Sequence, residues 1–435
     1  MPEAVTEVWL PGDRGSGGTG GTTGAGVRAR RAWLPLLAFL ALCSLSTVLA
    51  WVHAYQRGED LSEVDAYSES NAVREVRNFL DRGITADYGL GRPLYPGLYP
   101  EQGFASNATD RAASLTPSGV YTHYPPGPEY LLYAATLVFG PDSLVRLRLL
   151  PIALCGAATV FFGLALRRRF GSPVAWLVML ASASLPSFSD TNDFLHYDGY
   201  ALALVLVEIG LVMGARAAFV PMALIGFAQG WLSFDYCFLI TTIPLAYEIA
   251  IPKLSPGTQP RLPVAFWRCV AIGTGFTLAH SLHLLQVWAF FGSLRDALAD
   301  LGGAAVHRSG ADTMPSMLVR GTLTVALAWH YFVGQFPFGL LFSGPGEAVP
   351  TFRFLGIELG AWWLLLTVAA FSSRWLVVSL CGVVPSVLWF VVMYQHGFIH
   401  RMFIYRHLYF CFFLWALFVA VTLERQGKLG SAQTR

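Results

Sequence analysis

The feature that most constrains this chain is a succession of apolar stretches, most of them roughly 17–25 residues long, the length a helix needs to cross a hydrocarbon core ~30 Å thick. They are Trp33–His53, Leu147–Leu166, Val174–Phe188, Gly199–Ala215, Ala218–Phe234, Cys237–Ile251, Cys269–Phe291, Phe354–Phe371, Leu376–Met393 and Leu408–Leu423. A spanning barrel alternates apolar and polar residues, and these runs do not. Charged residues make up 13% of the chain, against about 25% in an ordinary soluble domain. The expectation is an all-α polytopic membrane protein with about ten transmembrane helices. Met317–Phe342 is apolar but broken by Gly334, Pro337 and Gly339. It reads as a re-entrant or interfacial segment, and if it crosses twice the count becomes about twelve.

Basic residues set the orientation. Arg28, Arg30 and Arg31 precede the first span, and Arg167, Arg168, Arg169, Arg216, Lys253, Arg261, Arg268, Arg374, Arg425 and Lys428 fall on alternate connections. By the positive-inside rule both termini lie in the cytoplasm. Residues 1–31 read as a flexible Gly-rich tail, 32–424 as the membrane domain and 425–435 as a cytoplasmic C-terminal tail. The first outer loop, 54–130, carries its own helix. Trp33–His53 lacks a small-residue cleavage site and reads as a retained helix, not a signal peptide. A net charge of +2 with no basic-aromatic run argues against a nucleic-acid partner. The six cysteines fall in or beside apolar segments without C-x-x-C spacing, so disulfides and zinc are not expected.

On this topology nearly all the chemistry-bearing polar residues face outside. From Ser68 to Gly83, residues Val73, Val76 and Leu80 share one helical face, with Ser68 as N-cap and Gly83 at the C′ position. Asp65 and Glu69 open this helix, where acids also serve simply to complement the dipole. Tyr121-Thr122-His123-Tyr124-Pro125-Pro126-Gly127-Pro128 is a stiff aromatic turn near the membrane surface. An interfacial belt explains its rings but not His123. Asp190, Asp193, His196 and Asp198 occupy a corner between two spans. Asp190 and Asp193 can be solvated acids, whereas Asp198 stands two residues before an unbroken apolar run. His400, Arg401 and Arg406 form a basic cluster outside, against the positive-inside rule, and a bound phosphate would supply the reason.

In this order the four pieces resemble the GT-C superfamily of membrane glycosyltransferases, in particular its polyprenyl-phosphate-sugar-dependent branch related to protein mannosyltransferases and aminoarabinose transferases. The resemblance covers roughly residues 33–250 and includes Arg148-Leu-Leu-Pro151 and Arg167-Arg-Arg-Phe-Gly171. It implies transfer of a sugar from a polyprenyl-phosphate donor in the membrane to an acceptor of unassigned identity at the extracytoplasmic face, with inversion at the anomeric carbon. Where the family carries an Asp-Glu pair this chain has Ser68-Glu69, and where some relatives carry Lys before Pro-Pro it has Tyr124. The base is therefore assigned to Glu69, with Asp65 in reserve and Asp198 as a further catalytic residue. Donor phosphate falls to His123, Tyr124, His400, Arg401 and Arg406. Asp193 and His196 are acceptor or metal candidates; a divalent metal is compatible with Glu69, Asp198 and His196, but no ligand spacing demands one. A transporter, or a carrier-binding relative without catalysis, are the competing readings.

Overall fold

A computed structural model describes residues 23–61, 66–93, 119–183, 192–214, 218–255, 257–309, 375–393 and 404–433. The chain divides into two compact units, Met1–Ala41 and Leu42–Arg435. Helix α1, Thr23–Arg57, begins in the first and ends in the second. The following helices all belong to the second: α2 Ala66–Arg82, α3 Gly127–Phe139, α4 Leu149–Phe170, α5 Ser172–Ala183, α6 Asp198–Met213, α7 Phe219–Leu232, α8 Cys237–Leu254, α9 Leu262–Phe291, α10 Leu294–Arg308, α11 Leu376–Val392 and α12 Tyr409–Gln433. Among the described residues there is no strand.

Among the described residues five segments are long and apolar enough to cross a membrane: Leu34–Arg57, Leu144–Phe170, Cys237–Leu254, Leu262–Phe291 and Tyr409–Gly427. Shorter apolar helices occupy Ser172–Ala183, Phe219–Leu232 and Leu376–Ser386. The expected span Phe354–Phe371 and the segment Met317–Phe342 lie outside the described residues.

The amphipathic helix expected after the first span is α2. Its Ala72, Val73 and Val76 pack on Leu132 and Ala135 of α3, each valine contributing about 1.5–3 kcal/mol by leaving water. Gly83 ends α2 at φ +87°, a conformation that glycine adopts without strain, and its N–H bonds the Phe79 carbonyl at 2.9 Å. Ser68, however, lies inside α2, which already starts at Ala66, so it does not occupy the N-cap.

Two helices were not legible as such. Gly127–Phe139 follows the proline turn, with Pro128 in its first turn, where a missing N–H costs nothing. The polar stretch Leu294–Arg308, which has no long apolar run to announce it, is helical. The Ser293 hydroxyl caps it by accepting from the Asp296 N–H at 3.3 Å, and His307 and Arg308 complement its C-terminal dipole.

Helices α7 and α9 meet backbone to backbone. A Cβ on Gly226 would overlap the Ile272 carbonyl oxygen, and one on Gly275 the Ala223 carbonyl oxygen. Gly275→Ala should lower the melting temperature in detergent, at a cost of about 1–3 kcal/mol for forcing the helices apart. Gly273→Ala, on the same helix with open space at that point, is the control. Equal melts for the two variants would refute the close approach.

The bundle has two chemically different ends. At one, Arg261 pairs with Glu248 at 2.9 Å, Arg268 donates to the Val212 carbonyl at 3.1 Å, and Arg425 donates to the Leu254 carbonyl at 3.2 Å. These are residues expected on the cytoplasmic side. The other end holds the candidate site.

Candidate active site

The site is organised by the corner 192–198, which joins α6 to the chain before it. This segment has too few apolar residues to bury itself without polar partners, and it finds them on both sides. Asp193 accepts from Arg57 Nη2 at 2.7 Å, with His53 Nδ1 3.3 Å away. The Leu195 N–H donates to Glu69 Oε1 at 3.0 Å. The Arg406 guanidinium lies 5.4 Å from the Phe194 ring centre. Tyr197 donates its hydroxyl to Asp235, and Asp198 pairs with Arg406 at 2.6 Å.

On the first side, Glu69 is fully buried between two arginines: Arg148 Nη2 is 3.5 Å from Oε2 and Arg57 Nη1 is 3.7 Å from Oε1. Burial raises its pKa above the usual carboxylate value, while Arg148, Arg57 and the Leu195 amide oppose the rise. Arg148, itself buried, is fixed by the carbonyls of Gly58 and Asp60, at 2.7 and 2.5 Å. The Arg-Leu-Leu-Pro stretch thus clamps the end of α1 to the start of α2.

On the second side, Asp198 at the first turn of α6 is buried and also accepts from the Tyr236 hydroxyl at 3.0 Å. Asp235 sits beside it at the start of α8. Besides Tyr197 it accepts from the Tyr124 hydroxyl at 3.2 Å, and its own N–H bonds Ser233 Oγ at 3.0 Å. Tyr124 stacks on Phe234, with centroids 4.4 Å apart, and faces Tyr197 at 5.9 Å. Burial, then the Asp235 charge, push the Tyr124 phenol up, so it remains a neutral donor. The His196 ring lies 4.2 Å from the Tyr197 ring, and burial drives its pKa down to about 3. It is a neutral imidazole whose buried Nδ1 has no hydrogen-bond partner.

His123 Nε2 lies 3.5 Å from Asp300 on α10. Thr122 Oγ1 donates to the same carboxylate at 2.6 Å, and the Thr122 carbonyl meets His283 of α9 at 2.8 Å. Burial tends to raise the Asp300 pKa, but bonds from His123 and Thr122 overcome it and hold it low. Asp65, Asp190, His400 and Arg401 lie outside the described residues.

Of the named candidates, Glu69 and Asp193 converge on Arg57, while Asp198, Arg406, His196 and Tyr124 gather around the neighbouring Asp235 network. Glu69, Asp198 and His196 do not form a metal-ligand set: two of them are already ion-paired to arginine. Among the described residues no group of three His, Cys, Asp or Glu side chains converges in a way that would hold an ion. Sequence reasoning missed Asp235, Arg57, Asp300 and Arg308. Asp235 did carry a signal, since Phe234-Asp235-Tyr236 separates two apolar runs just as Asp198 precedes one.

No protein-family model and no curated protein matches the chain. Among solved structures it is similar to the archaeal oligosaccharyltransferase AglB from Archaeoglobus fulgidus, in complex with an inhibitory peptide and a dolichol-phosphate. Identity is 15% and the TM-score 0.43, over 92% of this chain and 51% of that one. The apo form of the Archaeoglobus fulgidus oligosaccharyltransferase gives 14% identity and a TM-score of 0.44, over 91% and 52%. The chain therefore spans about half the length of the solved structures it matches. Likenesses this distant assign nothing to individual residues.

Proposed function

We propose that this chain is a membrane glycosyltransferase that moves a sugar from a polyprenyl-phosphate carrier to an acceptor at the extracytoplasmic face. One observation carries the reading. The carboxylates Glu69, Asp193, Asp198 and Asp235 and the arginines Arg57, Arg148, Arg308 and Arg406 crowd around a single corner at one end of an apolar helix bundle. Buried ionisable groups are costly to retain, and a cluster of them at one end of a bundle is a candidate functional site.

The reaction needs few parts. A carboxylate takes the proton of the acceptor hydroxyl or amine as that atom bonds to the anomeric carbon. The bond from that carbon to the phosphate oxygen breaks, and the lipid phosphate leaves with the electron pair. Glu69 is the base in this reading, since burial brings its pKa nearer the working range and its arginines keep the anion accessible. Asp65 is the reserve base. Arg406, Tyr124 and His123, with Arg401 and His400, attend the phosphate, while Asp193 and His196 line the acceptor side. No step is routed through a metal.

A second reading, transport, draws on Glu208, fully buried in α6 with both carboxyl oxygens unpartnered. The test uses protein in nanodiscs with a panel of radiolabelled polyprenyl-phosphate sugars, following release of polyprenyl phosphate. Release with at least one donor is expected. No release with any donor, together with proton-dependent solute uptake by proteoliposomes, would replace the transferase with a transporter.

A further inference from the structure

Four arginines serve the site, and three of them are spent on carboxylates in contact. Arg57 holds Asp193 and Glu69, Arg148 holds Glu69, and Arg406 holds Asp198. Arg308, the last residue of α10, differs from all of them. Its guanidinium carbon lies 4.4 Å from the Tyr124 ring centre and 4.7 Å from that of Phe234. Its two amino groups donate to neutral acceptors, the His123 carbonyl and the Tyr121 hydroxyl, each at 3.3 Å. Among the described residues no carboxylate touches it. It is only half-buried, whereas Arg148 and Arg406 are closed off from solvent.

A guanidinium seated on ring faces is held by its planar surface, leaving its N–H edge for an anion. The partners it has are long, neutral bonds that a charged acceptor would outcompete, because charge-assisted hydrogen bonds are roughly twice as strong. The position also suits a leaving group. Arg308 stands over Tyr124, which bonds Asp235, at the edge of the same corner that carries Asp198.

We infer that Arg308, not the already paired Arg406, is the primary cation for the phosphate of the lipid-linked donor, and that Tyr124 and Phe234 orient its guanidinium for that contact. The inference rests on the transferase reading for the identity of the ligand, but the phosphate contact can be measured without turnover.

The experiment compares binding of farnesyl phosphate, farnesol and inorganic phosphate to the full chain in detergent, for wild type, Arg308→Gln and Arg308→Lys. Arg308→Gln should weaken farnesyl phosphate binding on the order of tenfold or more and leave farnesol binding unchanged. Arg308→Lys, which keeps the charge but not the fork, should fall between. Inorganic phosphate should compete with farnesyl phosphate in wild type and lose that ability in Arg308→Gln. A purely structural role would lower farnesol binding and the melting temperature in parallel, and would overturn the inference. So would farnesyl phosphate binding that is equal in all three proteins or absent from wild type. If binding follows Arg308 while no sugar donor is ever consumed, the phosphate site stands and the transferase reading falls.

Discussion

Replacing Glu69 with glutamine should lower the rate of sugar transfer by about 10²–10⁴-fold, the range a positioned general base contributes. The change is nearly isosteric, and a glutamine carbonyl can still accept the Leu195 N–H. Arg57 retains Asp193, and Arg148 retains the carbonyls of Gly58 and Asp60. The variant should thus remain folded, with donor binding close to wild type and the loss confined to turnover. Single-turnover release of polyprenyl phosphate, measured beside a melting curve, separates the two effects. A rate within threefold of wild type would remove Glu69 from the chemistry and hand the role to Asp198 or Asp235.

The second large effect is on stability. Arg148→Met should destabilise the protein by about 3–5 kcal/mol, the usual cost of removing one partner from a buried ion pair. The loss has two parts: Glu69 loses its nearer arginine, and the carbonyls of Gly58 and Asp60 lose their donor. Adding Glu69→Gln to Arg148→Met should recover part of the loss, because the stranded charge is then gone. Denaturant or thermal unfolding of the four proteins of this cycle measures it. Strictly additive effects would mean that the pair is not coupled.

How much of this fold and site is legible in the amino-acid sequence depends on the physics each feature obeys. Long apolar helices announce themselves through run length alone: nine of the ten expected segments fall on described helices, with ends that differ by up to ten residues, and five of the described helices are long and apolar enough to cross a membrane. The face of α2 was readable from a period near 3.6, and its end from a glycine. The start of α2 falls two residues before the expected cap at Ser68, and α10 was not legible at all, because its polar composition resembles that of a loop; the Ser293 cap marks where it begins. Asp198 could be singled out as a charge beside an apolar run and Arg406 as part of a basic cluster on the outer side, whereas Glu69 stood out only through its place at a helix start and the family resemblance. What cannot be read from one dimension is pairing. Arg308 lies 184 positions along the chain from Tyr124, in a helix whose sequence carries no motif, and only the fold sets its guanidinium on that ring. Likewise Asp235 becomes the partner of Tyr124 and Tyr197 only through the crossing of α6 and α8.

The corner 192–198 has a consequence for energetics. Its Leu195 amide grips Glu69 on one side while Tyr197, two residues on, grips Asp235 on the other. The two grips are only two residues apart, so a shift of this backbone acts on both. A ligand that draws Tyr197 from Asp235 changes the field at Glu69, and whatever binds against Glu69 changes the hold on Tyr197. Linkage then requires that each ligand alter the other's affinity by the same factor. Two ligands that both bear on this corner would report on each other through seven residues.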